Sequence, residues 1–302
     1  MGQSSVSAVA ATRAGPADSR TRLLGRTARR FALHSVVLLI CAIWLIPTLS
    51  LLATSLRPAT LLLSSGWWHV FGSPSDLTGG NYREVLEGGQ LGQSFVNSLA
   101  IVVPATMATV LLGAAAGYTF AWLPFPGERL ILVLLVGLLA LPVQVTLVPV
   151  LQIFSKLHLA GHFAAAWIAY TGYTLPFAIY LMRSFFRRIP REIIEAAQID
   201  GASAIKICLK VAMPMAAPAL ASLATLVFVW TWNDLLVALV YVGSGPAVAP
   251  MPVTISNLIG SQGQGQELLA AGAVISLLLP VIVFFALQRY FVRGIVAGAV
   301  KG

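Results

Sequence analysis

Few residues in this chain could do chemistry. Its four lysines are followed by Leu157, Ile207, Val211 and Gly302. None therefore offers the Lys-Ser or Lys-Thr step of a phosphate-cradling loop. His158 and His162 stand four apart, but Gly161 lies between them and no Cys, Asp or Glu is near, so they read as loop residues and no metal site is expected. Serine and cysteine have no His and acidic partners in a catalytic pattern, and an enzyme active site is not expected. Two features remain. One is Asp234, the single acidic residue within a long apolar run, beside Asn233. The other is the polar stretch 183–216, where carboxylates, small residues and a glycine recur at fixed spacing.

The elements that must position them follow from composition. Of 302 residues, 58% are apolar and 10% charged, against roughly 45–50% and about 25% in a typical soluble domain. Mean hydropathy is +0.87. So few charges cannot coat a soluble surface, and a disordered chain would be poor in hydrophobics. A bilayer is the solvent that fits. A spanning helix needs about 20 apolar residues, and six runs qualify: 33–56, 95–122, 130–154, 163–182, 217–242 and 268–290. Backbone groups in lipid must be satisfied within the segment, so the runs are expected to be helices. Pro47, Pro104, Pro142, Pro149, Pro176 and Pro280 lie inside them and would kink or break them unless neighbours re-satisfy the freed carbonyls. Gly113-Ala114-Ala115-Ala116-Gly117 would let another helix approach closely.

Basic residues set the orientation. Sixteen of the nineteen Lys and Arg fall in the N-terminal tail, the second and fourth connections and the C-terminal tail; only Arg57, Arg83 and Lys156 fall on the other side. Positive charge stays cytoplasmic, so both termini are expected there. The net charge of +9 then meets anionic headgroups, and nucleic acid is not required. Residues 1–32 read as a polar basic cytoplasmic tail, disordered at its start, and 33–302 as the membrane domain. Arg29-Arg30-Phe31 faintly suggests a twin-arginine signal, but the following run exceeds the roughly 7–15 residues of a signal core and reads as an uncleaved anchor. Cys41 and Cys208 are expected to be unpaired thiols, one in an apolar run and one in a basic loop. Outside, Trp67, Trp68, His69, Val70 and Phe71 suggest an interfacial anchor. The outer loop 243–267, with Gly260, Gln262, Gly263 and Gln264, has a flexible composition and reads either as a plain connector or as a probe for an external partner.

An unpaired carboxylate at mid-membrane costs on the order of 2.5–3.5 kcal/mol, so Asp234 is expected to face a cavity or a partner. In a straight span it would sit roughly 6 Å outward of the midpoint. One reading is a translocation path formed by Asp234, Asn233, Gln144 and a sugar-stacking face on Trp230 or Trp232; the other is a helix–helix hydrogen bond to a second subunit, or a hydrated site near the outer interface. Gln152, Tyr170, Tyr173 and Tyr180 are weaker candidates. In the 183–216 stretch, Pro190 starts a helix with Glu192 and Glu195 in its first turns. Ile193, Ala196 and Ala197 make one apolar stripe. Gly201 permits a sharp change of direction, a second short helix follows, and Pro214 marks entry into the fifth span. The expected form is a helix–Gly–helix knob.

Glu195-Ala196-Ala197, then Gly201, then Val211-Ala212-Met213-Pro214 resembles the EAA signature of ABC importer permeases. Val211 and Met213 stand where Ile and Leu are usual, which conserves volume and apolarity. Asn81-Tyr82, Asn97-Ser98, Leu175-Pro176-Phe177, Ile189-Pro190, Asp200-Gly201-Ala202, Trp232-Asn233 and Gly298-Ala299-Val300-Lys301-Gly302 are similar to the carbohydrate permeases of the MalG branch. The resemblance covers the chain from about residue 33 onward. It implies an all-α integral membrane protein with six transmembrane helices and the type I importer permease fold, in a bacterial plasma membrane. It also implies a second, MalF-like permease, paired ATPase subunits that bind ATP and Mg, and an extracytoplasmic solute-binding protein that meets the 243–267 loop. This chain itself would carry no cofactor. Glu195, Ala196, Ala197, Asp200, Gly201 and Pro214 would couple it to the ATPase. Sugar is the implied solute; a polyol, glycerol phosphate or polyamine remains open. A self-sufficient secondary transporter is the contrasting class, and neither internal repeats nor multiple intramembrane charges favour it.

Overall fold

A computed structural model describes residues 16–62, 64–88, 90–259 and 265–299. The expected start of the tail, residues 1–15, lies outside the described residues. The chain divides into two compact units, Met1–Leu51 and Leu52–Gly302. The described part of the first is a single helix, α1 (Pro16–Ser55), whose last turn belongs to the second. Its apolar side chains, such as Leu38 and Trp44, are exposed in this isolated chain. A helix that is apolar all round needs lipid or protein about it.

Among its described residues the second unit has helices as its regular secondary structure and no strand. Its principal helices are α2 (Gly80–Glu87), α3 (Gln90–Trp122), α4 (Glu128–Leu139), α5 (Val143–Lys156), α6 (Phe163–Phe186), α7 (Arg191–Ile199), α8 (Ala204–Met215), α9 (Ala217–Asn233), α10 (Leu236–Tyr241), α11 (Met251–Ser256) and α12 (Gln266–Ala299). Segments Arg29–Ser55, Gln90–Trp122 and Gln266–Gln288 are each long and apolar enough to cross a membrane. The other apolar runs are less regular than their composition suggests. The third, expected as one span, bends by 104° between α4 and α5. Pro142, extended at φ −63° and ψ 130°, explains the break, because proline lacks the N–H that a continuing helix needs. Pro47, Pro104, Pro149, Pro176 and Pro280 all remain inside helices. The fifth run, also expected as one span, is divided into α9 and α10 at Asp234. The fourth run forms α6, about 36 Å long at 1.5 Å per residue. Tyr170, Tyr173, Thr171 and Thr174 dilute its apolar character.

Helix α6 is central, packing on α3, α4, α9 and α10. Its tightest contact is with α3. A Cβ added at Gly113 would lie 2.6 Å from Ala178 Cβ; one at Gly117 would lie 2.7 Å from Met182 Cβ and 2.9 Å from Arg183 N. The small-residue run therefore brings two backbones together, as its composition suggests. Thr109 and Thr174 hydroxyls meet across the same seam at 2.8 Å. Three larger buried clusters follow. Ala114, Tyr118, Met182, Phe186, Ile194, Ile207 and Leu223 join α3 and α6 to α7, α8 and α9. Ile101, Phe154, Ala166, Tyr170 and Tyr241 join α3, α5, α6 and α10. Val102, Trp232, Met251 and Ala271 join α3, α9, α11 and α12.

The loop after α1 is organised by an unexpected residue. Arg57, 2% exposed, donates to the carbonyls of Leu61, Ser65 and Gly66 and to Ser65 Oγ. Asn81 Nδ2 donates to the carbonyls of Ser55 and Arg57, and Ser55 Oγ meets Tyr82 Oη at 2.7 Å. The cation is held by backbone oxygen, so its loss would leave several buried acceptors unpaired. Asn97 and Ser98 act similarly, binding the carbonyls of Ala247 and Ala249 and the N–H of Met251.

The α3–α6 seam gives a direct expectation. Gly117→Val should destabilise the detergent-solubilised protein by about 1–3 kcal/mol, the usual cost of overpacking. Gly172→Ala, on α6 but with nothing within 4 Å, should be neutral or stabilising. Equal thermal midpoints for the two variants would remove the seam from its structural role.

Candidate functional site: a broken helix over a cavity, and a helix–Gly–helix knob

The division between α9 and α10 is chemically supported. Asn233, the last residue of α9, donates from Nδ2 to Val229 O at 2.8 Å. Asp234 is extended at φ −76° and ψ 125°. Its Oδ1 accepts the N–H of Val237 at 2.8 Å and the hydroxyl of Tyr170 at 3.0 Å. Side-chain oxygen at a helix start replaces a missing backbone acceptor. Asn233 thus serves the end of one helix and Asp234 the start of the next. The same carboxylate ties the break to α6: the helix–helix hydrogen bond expected to a second subunit is made within this chain.

A cavity of about 520 Å³ opens at this point. Trp230, Thr231, Asp234 and Val237 form one wall, Tyr170, Tyr173, Thr174 and Phe177 of α6 a second, and Leu138, Leu139, Leu141, Gln144 and Leu147 around the α4–α5 bend a third. The rings of Phe177 and Trp230 are 5.2 Å apart and tilted by 55°. Tyr173 Oη meets Tyr241 Oη at 2.7 Å and accepts from Thr146 Oγ1 at 3.0 Å. Asp234, Trp230 and Gln144 therefore come together. Trp232 does not join them: it is 1% exposed, stacks on Phe228 with centroids 5.7 Å apart, and donates from Nε1 to Ser276 O. Residues two apart on a helix point about 200° apart, so the two tryptophans could not share a face. Asn233 is exposed and lies outside the cavity lining. Tyr170 and Tyr173 line it; Gln152 and Tyr180 do not.

The 187–216 stretch forms the knob in detail. α7 ends with Gly201 at φ +76°. The N–H of Ala202 bonds Ala197 O and that of Gly201 bonds Gln198 O, the paired bonds of a Schellman turn. The buried face of α7 carries Ile194, with Ala197 half-buried beside it. Ile193 and Ala196, expected on that stripe, face outward. The reason is packing: Ile194 meets Ile207 and Phe186 in the cluster shared with α3 and α6. Ile199 and Ile205 are left 87% and 73% exposed. Glu195 pairs in cis, its Oε1 accepting from Arg191 Nε at 2.8 Å; exposed pairs of this spacing contribute only about 0.3–0.5 kcal/mol. Asp200 is exposed. α8 contains a π turn over Cys208–Ala212, closed by Met213 N–H on Cys208 O. Pro214 has no N–H to continue the ladder, which accounts for the shifted register. Entry into α9 is not at Pro214. It is an 80° bend at Ala216, followed by Pro218 in the first turn. Cys208 is buried and Cys41 exposed, both free, and burial pushes the Cys208 thiol up. Gly260, Gln262, Gly263 and Gln264 lie outside the described residues.

Residues 96–297 match the family model described as "Binding-protein-dependent transport system inner membrane component". This chain belongs to that family. It is similar to the osmoprotective compounds uptake permease protein GgtD of Synechocystis, 49% identical over 90% of this chain and 93% of that one. The alpha-glucoside transport system permease protein AglG of Rhizobium meliloti is 46% identical over 76% of this chain and 62% of its own length. The trehalose transport system permease protein SugB of Mycobacterium tuberculosis is 36% identical over 85% and 93%. In fold, the permease resembles a bacterial ABC transporter involved in the import of the acidic polysaccharide alginate, with TM-score 0.74, 23% identity and coverage of 88% and 98%. The architecture is thus the all-helical ABC importer permease fold.

The cap geometry predicts a ranking. Asp234→Ala should lower thermal stability by about 1–2 kcal/mol, the cost of losing a side-chain oxygen that caps a helix start. Asp234→Asn keeps an acceptor for Val237 N–H and should stay near wild type. Thermal unfolding in detergent measures the difference; identical midpoints would mean that the α10 start does not depend on this side chain.

Proposed function

We propose that this chain is one permease subunit of an ATP-driven, binding-protein-dependent sugar importer. It contributes half of the translocation path and receives mechanical work through residues 191–213. ATP and Mg belong to a paired ATPase outside this chain, and a second permease completes the path. In this reading six apolar runs cross a bacterial plasma membrane, the α4–α5 and α9–α10 pairs each counting as one bent crossing, with both termini cytoplasmic. The 243–267 loop meets an external solute-binding protein.

One observation carries the coupling role. The knob is fused inwardly to the buried cluster of α3, α6 and α9 while presenting Ile193, Ala196, Ile199 and Ile205 outward. An element that is rigid on one side and apolar on the other is suited to transmit force from a docked partner. Glu195 adds a carboxylate whose exposed cis pair is weak enough to exchange for a partner's basic group. Closure of the ATPase pair would displace this knob as a body and rock the helices joined to it. Sugar as cargo is supported by relatives named for alpha-glucoside and trehalose transport. A wider class of neutral osmolytes is a second reading, favoured by the relative named for osmoprotective compounds.

Gly201 tests the coupling. Its φ opposes any side chain although nothing lies within 4 Å of its Cβ position, and a non-glycine residue there costs about 1–2 kcal/mol. Gly201→Val should insert normally yet lose uptake, or lose ATPase association, in cells expressing the full importer. Normal uptake would remove the knob from the mechanism. Glu195→Lys should weaken co-purification of the ATPase; unchanged recovery would make Glu195 an ordinary surface residue.

A further inference from the structure

We propose that the loop following α1 is a bilayer anchor: the rings of Trp68 and Phe71 enter the headgroup region of the membrane, and the buried guanidinium of Arg57 holds them at that depth. The anchor depends only on α1 crossing a membrane and not on which solute is carried.

The loop is closed on itself. It leaves α1 after Ser55 and returns at Thr78, whose N–H donates to Leu56 O at 2.7 Å. Asn81 of α2 pins the departure point a second time, donating from Nδ2 to the carbonyls of Ser55 and Arg57 at 2.9 and 2.8 Å. Between these ties Arg57 folds back over the loop and donates to the carbonyls of Leu61, Ser65 and Gly66. Gly66 immediately precedes the aromatic turn Trp67–Phe71. That turn is therefore held within one arginine side chain of the end of α1, where the apolar segment Arg29–Ser55 stops. A spanning helix leaves hydrocarbon for the headgroups at such a point, and tryptophan is enriched there. Residues Ala59–Leu62, earlier in the loop, rest on α12, which carries the second spanning-length segment Gln266–Gln288.

Water is a poor solvent for what the turn presents. Phe71 is 75% exposed and Trp68 60%. Trp67, half-buried, stands edge-on to both, its ring centroid 6.1 Å from that of Trp68 and 6.3 Å from that of Phe71. The three rings thus form one continuous patch. The indole of Trp68 also lies back over Gly66, in the space that a Cβ there would need. A patch of this kind marks contact with a membrane or with another protein. Charge decides for the membrane. From Pro58 to Ser75 the sequence holds no Lys, Arg, Asp or Glu. Nothing there resists transfer into the interface, and nothing supplies the charged groups that fix register on a protein partner. The charge at the root of the loop is buried and its donors are taken by backbone oxygen.

Trp68→Phe keeps a ring and isolates the emission of one indole by difference. The full chain, with any subunits that co-purify, is reconstituted in phosphatidylcholine vesicles carrying a nitroxide either at the headgroup or at the end of the acyl chain, and iodide serves as the aqueous quencher. The difference emission should be lost to the headgroup nitroxide, little affected by the chain-end nitroxide and shielded from iodide. Quenching by iodide with no loss to either lipid label overturns the anchor. So does shielding from iodide without lipid quenching, the outcome expected if another protein covers the patch. Loss to the chain-end nitroxide alone would put the ring in hydrocarbon and overturn the headgroup placement. Arg57→Lys keeps the charge but replaces a five-donor fork with one ammonium, and should pass part of the Trp68 emission to iodide. Ser65→Ala, which removes one side-chain acceptor of Arg57 and leaves the rest of the loop intact, should move in the same direction to a smaller degree. Wild-type quenching in both variants would overturn the role of Arg57.

Discussion

The close approach of α3 and α6 is the constraint on which the rest of the fold depends. Gly113 and Gly117 let the α3 backbone lie against Ala178, Met182 and the N–H of Arg183. In lipid there is little hydrophobic force between helices, so van der Waals contact at such a seam must supply much of the association. Once the seam is closed, α4, α9 and α10 take their positions from α6. One face of that helix carries Ala178 and Met182 toward α3; another carries Tyr170, Tyr173 and Phe177 toward the cavity; its end, Phe186, carries the knob. Trp122 Nε1 donating to Phe186 O at 3.2 Å closes the seam at that end.

The two interrupted runs follow from the same arrangement. Helix termini expose unpaired N–H and carbonyl groups, tolerated at membrane depth only where protein or a wet cavity satisfies them. The chain places its break at Asn233-Asp234, where one side chain serves each new terminus, and turns the carboxylate toward Tyr170 of α6. The α4–α5 bend lies across the cavity from it. Polar backbone and polar side chains are thereby gathered in one place, away from the apolar outer surfaces of α3 and α12. Discontinuous helices at the solute path are a general solution in transporters.

Much of this architecture was legible in the sequence. The apolar runs, the small-residue patch and the helix–Gly–helix knob all rest on local patterns, and local patterns survive folding. The turn of the knob was readable for a specific reason: Gly201 occupies the C′ position of a Schellman turn, where a positive φ favours glycine. What was hidden depended on facing and on register. Trp230 and Trp232 are equal in composition, and only helix phase sends one to the cavity and the other to the core. Ile194 could be told from Ile193 only by knowing where Ile207 and Phe186 would be. Arg57 looked like an ordinary outer-side charge; its burial among carbonyls is a property of the loop that wraps it. The break at Asp234 did leave a signal, since Asn-Asp is a poor helix interior and a good pair of caps, but the apolar residues on both sides masked it.

The placement of the knob has a mechanical consequence. It is inserted between the C-terminal end of α6 and the start of α9, and those two helices form facing walls of the cavity. Tyr170 is sixteen residues before Phe186, about 24 Å along an unbroken helix. α6 runs unbroken over that distance with Pro176 inside it, so the one point where it could flex lies between the knob and Tyr173. A displacement of the knob therefore reaches the cavity through both walls at once. The buried cluster of Ile194, Ile207, Met182 and Leu223 prevents the knob from moving independently of them. The other compliant points are the 80° bend at Ala216, the 104° bend before Pro142, and the uncoiled backbone at Asp234. The last two border the cavity, so rigid motion of the knob would be taken up beside it, where a change of shape alters its opening.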